Sequence, residues 1–253
     1  MEGMSTTPDR RDAGSSSPSA IDKIDPVFSR QRVAYDAQGL DVAELASGPL
    51  AQFRRWYDDA LAARLTEPNA MTLATVDRDG VPTARTVLLK HADSGGFVFF
   101  TNYRSRKGTE LAARPVAALV IAWLPLQRQV CVRGRVEPVS AAATAEYFGS
   151  RPWGSRIGAW ASHQSQVVAS RDELERRWAQ LGERWPDHGR PDDVPVPPHW
   201  GGYVVHPFEV EFWQGRSSRM HDRLVFLPVE HPLPEILPTM DDDRAWRVER
   251  REP

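Results

Sequence analysis

A chain of 253 residues, 41 % hydrophobic and 26 % charged, has an ordinary globular composition and the length of one large domain. Its formal net charge of -2 and pI near 6.4 exclude a global positive field for nucleic acid, so any anion site must come from local Arg and Lys clusters. The single cysteine, Cys131, excludes an intrachain disulfide and a four-cysteine metal site.

Residues 1–28 are rich in Ser, Pro, Asp and Gly and are expected to form a disordered tail, with one domain over 29–253. The tail lacks the apolar segment of a secretory signal, and no run reaches the roughly 20 apolar residues that span a bilayer. The expected setting is therefore cytoplasmic, with neither membrane nor nucleic acid as partner. From Pro49 to Leu65 the apolar residues Leu50, Phe53, Trp56, Tyr57, Ala60 and Leu61 recur at three and four, which predicts an amphipathic helix. The period then changes to two. "AMTLATV" and "PTARTVLLK" read as strands joined by the turn "DRDG", and "GGFVFFTN" as a third. "RKGTELAAR" reads as a short helix, "VAALVIAWL" and "RQVCVRGRVEPV" as strands, and 140–149 and 155–161 as helices. A further helix follows Ser170, where Ser170 and Glu173 suggest a capping box. After a proline-rich loop come four more strands, "GYVVHP", "FEVEFWQG", "DRLVFLPV" and "AWRVERREP". Sequential hairpins predict a mainly β (α+β) fold, an antiparallel barrel with helices packed outside.

No glycine-rich nucleotide cradle, nucleophile elbow or metal-ligand spacing among the seven histidines is present, so no metal is expected. What remains is basic. Arg85 and Lys90 end one strand, and Arg106 and Lys107 open a helix, where free N–H groups favour a phosphate. "YFGSRPWGS" spaces Tyr147, Arg151 and Ser155 at four, which reads either as a second clamp of the kind that holds phosphate or as an exposed helix end followed by a loop, broken at Pro152 and Gly154. "FWQGRSSRMHDR" crowds Arg216, Arg219 and Arg223 around His221, an arrangement that needs an anion or an electron-rich ring nearby. Physically, the reading is a barrel that binds one or two phosphorylated planar ligands.

The collinear series "RTVLLKH", "FFTNYRSRKGTEL", "QRQVCVRGRVE", "YFGSRPWGSRIGAWASHQS", "WGGYVV", "EFWQG" and "RMHDR" resembles the pyridoxine/pyridoxamine 5′-phosphate oxidases from about Arg32 to Pro253. That resemblance implies an FMN-binding split β-barrel with peripheral helices, a homodimer with FMN at its interface. It implies oxidation of pyridoxine 5′-phosphate or pyridoxamine 5′-phosphate to pyridoxal 5′-phosphate, with O2 reoxidising the flavin and yielding H2O2. It implies FMN contacts at Arg85, Thr86, Val87, Leu88, Leu89, Lys90, Phe100, Thr101, Arg106, Lys107, Gln129, Gln164, Ser165, Trp213 and Arg223. It places the substrate phosphate on Lys90, Tyr147, Arg151 and Ser155, and the substrate ring against Arg219, Met220 and His221. Arg219 and His221 are then the catalytic pair, and Arg32 and Tyr35 fold over the site. Arg216 is left without a role and reads as solvated.

Departures from the family pattern are small: Met220 stands where leucine is usual and Phe100 where tyrosine is common. The loops at 186–199 and 229–243 look long; they are expected away from the motif residues, at the rim or the dimer edge. A phenazine-pathway flavin oxidase or a deazaflavin-dependent reductase on the same barrel would have no use for the phosphate clamp. A non-catalytic binder of flavin or pyridoxal phosphate would have no use for Arg219 and His221.

Overall fold

Alternation decides the barrel. In β1 (Ala70–Val76) Met71, Leu73 and Thr75 point inward, and in β5 (Val116–Trp123) Ala117, Leu119, Ile121 and Trp123 do the same. The computed structural model describes Val27, Tyr35 and residues 39–253, of which Tyr35 onward belongs to one compact unit. The expected tail, Val27 apart, and Arg32 lie outside the described residues.

Among the described residues nine antiparallel strands form a single sheet: β1, β2 (Pro82–Leu88), β3 (His91–Asp93), β4 (Gly96–Asn102), β5, β6 (Arg128–Pro138), β7 (Trp200–Gln214), β8 (Asp222–Pro228) and β9 (Trp246–Arg251). The sheet path runs β2-β1-β5-β6-β7-β4-β3. The ring closes because β2 runs on through Leu89 and Lys90 into β3, and the Lys90 N–H donates to Val98 O of β4 at 2.8 Å. The β1–β2 turn is held by Asp77, whose Oδ1 accepts from the N–H groups of Asp79 and Val81, while Gly80 takes φ +87°.

The strands expected at "GYVVHP" and "FEVEFWQG" are one 15-residue strand, β7. Pro207 does not end it because the register with β6 shifts between Arg133 and Gly134, absorbing one residue where the proline cannot donate. This strand divides the sheet. Residues 200–205 pair with β4, residues 210–214 pair with β8, and β6 lies along the other edge of both halves. One long strand thus belongs to two arms, which makes the barrel a split one.

Five α-helices are described: α1 (Pro49–Ala62), α2 (Arg106–Ala113), α3 (Ala141–Ser150), α4 (Trp153–Ala161) and α5 (Arg171–Arg184). Helix α1 starts on Pro49 after Gly48 and lays Phe53 against Phe97 (4.9 Å) and Trp56 against Phe212 (5.2 Å) over the barrel core. At α5 only half of the expected capping box forms. Ser170 Oγ accepts from the Glu173 N–H, but the Glu173 carboxylate turns to Arg177 one turn on. A second core, Phe148, Ile157, Val194 and Trp200, joins α3 and α4 to the segment before β7.

Neither long loop is confined to a rim. Met240 of the 229–243 loop is fully buried, donates its N–H to Ser94 O and accepts from the Leu50 N–H, so it is part of the barrel core. No helix among the described residues is long and apolar enough to cross a membrane.

Candidate functional site

A cavity of about 650 Å³ opens where β2, β4, α2, α3 and α4 meet. Among the described residues strand β2 pairs with β1 alone, so half of its backbone N–H and C=O groups face away from that partner, and Thr86, Val87 and Leu88 line the cavity. Phe100, Thr101, Lys107 and Gln164 complete this end.

Lys107 is the first cation of the site. Ser105 caps α2 by accepting from the Gly108 N–H, and this turn brings the Lys107 ammonium inward, 7 % exposed. Its Nζ donates to Gln164 Oε1 (3.1 Å), Thr101 Oγ1 (3.3 Å) and Ser105 Oγ (3.5 Å), all neutral oxygens. Burial, then the nearby Arg85 guanidinium, holds its pKa below the usual lysine value. A cation in that state favours an anion.

The two arginines expected beside it are engaged behind the wall. Arg85 donates to Glu110 Oε2 (3.2 Å) and Thr75 Oγ1 (2.5 Å), Arg106 Nε donates to Glu110 Oε1 (2.9 Å), and Thr83 Oγ1 donates to Glu110 Oε2 (2.7 Å). The Arg106 N–H goes to Ser165 Oγ at 3.1 Å, and Leu89 is buried in the barrel core. Glu110 thus organises the cradle; it stands within the motif "FFTNYRSRKGTEL" but was given no role there, and its position four residues after Arg106 on α2 was the available signal. Burial alone would raise its pKa, but hydrogen bonds from Thr75, Thr83 and Arg106 and the Arg85 charge bring it down to about 2. A carboxyl lowered on folding stabilises the fold above its unfolded value and loses that contribution as pH falls toward 2. We expect Glu110→Gln to cost about 3 kcal/mol at pH 7, and less as pH falls from about 4.5 toward 2. Urea unfolding at pH 7 and pH 3 measures this, and an unchanged cost at the two values would refute it.

The second cation is Arg151. It follows α3 and precedes α4, whose first turn carries Ser155, and both residues line the cavity with Lys90 and Tyr147. The Arg151 guanidinium lies over Trp200 (4.8 Å) and Phe148 (5.7 Å), and its buried Nη1 has no hydrogen-bond partner. Burial pulls its pKa down. Tyr147 stacks on Phe100 at 4.0 Å, Phe100 stacks on Trp200 at 5.4 Å, and Lys90 Nζ sits 5.8 Å from the Tyr147 ring. Phe100 therefore works through its ring, and the missing hydroxyl costs nothing in this stack. Asn102, Ser150, Gly158 and Trp200 also line the cavity; they lie within the quoted motifs but were given no role there.

The other expected residues do not line this cavity. Gln129, Trp213 and Arg223 are cross-strand neighbours on β6, β7 and β8, on the outer face of the sheet. His221 packs on Trp213 at 4.7 Å, and Tyr35 lies edge-on to both, at 5.9 Å from Trp213 and 5.5 Å from His221. Gly215 permits that approach, since a Cβ there would stand 3.1 Å from the Tyr35 ring. The Arg216 N–H donates to His221 Nδ1 at 3.1 Å, and the Arg216 side chain pairs with Asp222 at 3.2 Å. Arg216 is thus a half-exposed ion-pair partner that helps hold His221, rather than a solvated charge. Arg223 pairs with Glu211 at 2.7 Å. Arg219 and Met220 are exposed on the turn between β7 and β8, where Ser218 and Arg219 take φ +57° and +62°. Among the described residues no acidic, His or Cys cluster is arranged to hold a metal.

One chain therefore carries two separate sets: a cavity lined by Lys90, Lys107 and Arg151, and an aromatic and basic face on the outside of the sheet. Fold and site together define a split barrel with a cation-lined cavity. A family model described as pyridoxamine 5′-phosphate oxidase matches residues 57–184, and one described as pyridoxine 5′-phosphate oxidase C-terminal dimerisation region matches residues 200–253. The chain is 56 % identical over 223 residues to a pyridoxine/pyridoxamine 5′-phosphate oxidase of Kineococcus radiotolerans, covering 88 % of this chain and 97 % of that one. It is 58 % identical over 195 residues to one of Burkholderia multivorans, covering 77 % and 89 %. Among solved structures, PhzG from Burkholderia lata 383 in complex with tetrahydrophenazine-1-carboxylic acid matches with a TM-score of 0.74 at 27 % identity, over 87 % of this chain and 100 % of that chain. The chain belongs to the pyridoxamine 5′-phosphate oxidase family.

Proposed function

We propose that this chain oxidises pyridoxine 5′-phosphate and pyridoxamine 5′-phosphate to pyridoxal 5′-phosphate with FMN and O2. The alcohol gives one aldehyde and one H2O2 per O2; the amine also takes up one water and releases ammonia. The observation that carries this reading is the set of cations in one cavity, the inward-facing Lys107 and Arg151 with the more exposed Lys90, to none of which a carboxylate pairs among the described residues. Two phosphates, one from cofactor and one from substrate, answer them.

The residues fit FMN. Lys107 and the first turn of α2 would hold its phosphate, and the open edge of β2 offers N–H and C=O groups to a polar ring edge. When bound, FMN supplies the two-electron acceptor. The chain's own part is placement. Arg151 Nη1, Ser155, Lys90 and Tyr147 would bind the substrate phosphate at the start of α4. Arg219 would orient the pyridine ring. Because His221 Nδ1 accepts the Arg216 N–H, the proton of its neutral ring lies on Nε2. On this reading Nε2–H is the donor that would serve the substrate oxygen or nitrogen. Since the two sets do not meet in one chain, a homodimer supplies them to each other, in keeping with the dimerisation region over 200–253.

The test is aerobic turnover of purified protein with added FMN, following pyridoxal 5′-phosphate by absorbance and peroxide by a coupled assay. Product and peroxide in equal amounts are expected. Bound flavin with both phosphorylated substrates inert would favour the activity of a PhzG-like relative instead.

A further inference from the structure

Helix α4 has two working faces. Ser155, Gly158, Ala159 and Ser162, spaced three and four apart, line the cavity. Trp153, Arg156 and Trp160 share the opposite face, and each donates to a main-chain carbonyl of the chain between α5 and β7. Trp153 Nε1 reaches Trp185 O (2.8 Å), Arg156 Nη1 reaches Arg190 O (2.9 Å) and Pro191 O (2.6 Å), and Trp160 Nε1 reaches Pro195 O (2.7 Å). Arg156 is 4 % exposed and binds no carboxylate among the described residues; its charge is spent on two carbonyl dipoles. Those carbonyls are themselves fixed. The Asp193 carboxylate accepts from the N–H groups of His188 (2.7 Å) and Arg190 (3.0 Å) and pairs with the His188 ring and Arg190 Nε, tying the turn together. Pro191 packs against Gly149 of α3, where a Cβ would stand 3.2 Å from its own Cβ, and Val194 belongs to the second core. The segment thus grips both helices that flank Arg151.

We propose that residues 186–199 are the rigid backing of the phosphate clamp, and that Arg156 is a positioning residue which sets Arg151 and Ser155 for the substrate phosphate. This deepens the function proposed above and rests on it. Arg156 touches neither ligand; it acts by fixing the helix start, where a shift of about 1 Å is enough to weaken a reaction by orders of magnitude.

Arg156→Gln is expected to raise the KM for pyridoxine 5′-phosphate about tenfold, with kcat and FMN affinity changed less than about twofold. The inhibition constant of inorganic phosphate should rise by the same factor. Asp193→Asn, which loosens the turn from the other side, should move both in the same direction, and it decides the matter if Arg156→Gln does not fold. Wild-type KM and phosphate inhibition in the folded variants would overturn the proposal, as would a parallel fall of kcat, FMN affinity and substrate affinity. Arg151→Met separates the two levels. If it leaves KM unchanged, the clamp itself is misassigned and this inference goes with it. If it raises KM while both backing variants stay normal, the clamp stands and only the backing role fails.

Discussion

Arg151→Met will raise the KM for pyridoxine 5′-phosphate about 100-fold, leave FMN binding intact, and make the ligand-free protein more heat-stable. The guanidinium lies among Tyr147, Phe148 and Trp200, with Nη1 buried and unpartnered and its pKa pulled down by burial. Two hydrogen bonds from a buried cation to a dianion contribute about 3 kcal/mol, which is about 100-fold in affinity. Without ligand the buried Nη1 is a liability, partly offset by the two aromatic faces. A methionine of similar length removes it, and a gain of about 1 kcal/mol, about 2–4 °C, should show in thermal unfolding. A lower melting temperature together with an unchanged KM would contradict both halves. The variant also tests the dimer. On the proposed reading Arg151 and Arg219 reach one substrate from different chains. Arg151→Met and Arg219→Ala chains, unfolded and refolded together and assayed at substrate well below the Arg151→Met KM, should show about a quarter of wild-type activity, because half the dimers then hold one intact site. No recovery would place both arginines in one chain's site.

The barrel could be read from the chain because its strands alternate and its hairpins are punctuated, as at Asp77–Gly80 and in the run of β5 into β6. Where the reading failed, a tertiary feature overrode a local one. Pro207 looked like a strand end, yet a bulge opposite Gly134 carries β7 through it. The three-residue β3 was too short for any period to show. In the site, residue type was informative where chemistry demands it, so Lys107 and Arg151 could be named in advance. Their division from Trp213, His221 and Arg223 could not, because it depends on which face of the sheet each strand presents. Glu110 escaped because its function is to hold other side chains. The 186–199 segment escaped for a deeper reason: it acts through main-chain carbonyls, which every residue possesses and composition cannot reveal.

Lys107→Met will weaken FMN binding about 100-fold while Arg151→Met does not, and the two cations thereby become assignable to different phosphates. The Lys107 ammonium, in the first turn of α2, makes three hydrogen bonds, all to neutral oxygens. Replacing it removes a charge-assisted contact of about 3 kcal/mol, read by flavin fluorescence titration. The pH dependence follows from the sign of its shift. Burial and Arg85 lower the Lys107 pKa below 10.5, so in the window just under that value the unfolded chain binds more protons than the folded one. The ligand-free protein should therefore gain stability as pH rises through that window, and Lys107→Met should flatten the gain. FMN reverses the preference, because its phosphate favours the charged ammonium. Cofactor affinity in the wild type should fall as pH rises through the same window, and in Lys107→Met that slope should be lost. Equal FMN affinity in wild type and variant at neutral pH would move the cofactor phosphate away from α2 altogether.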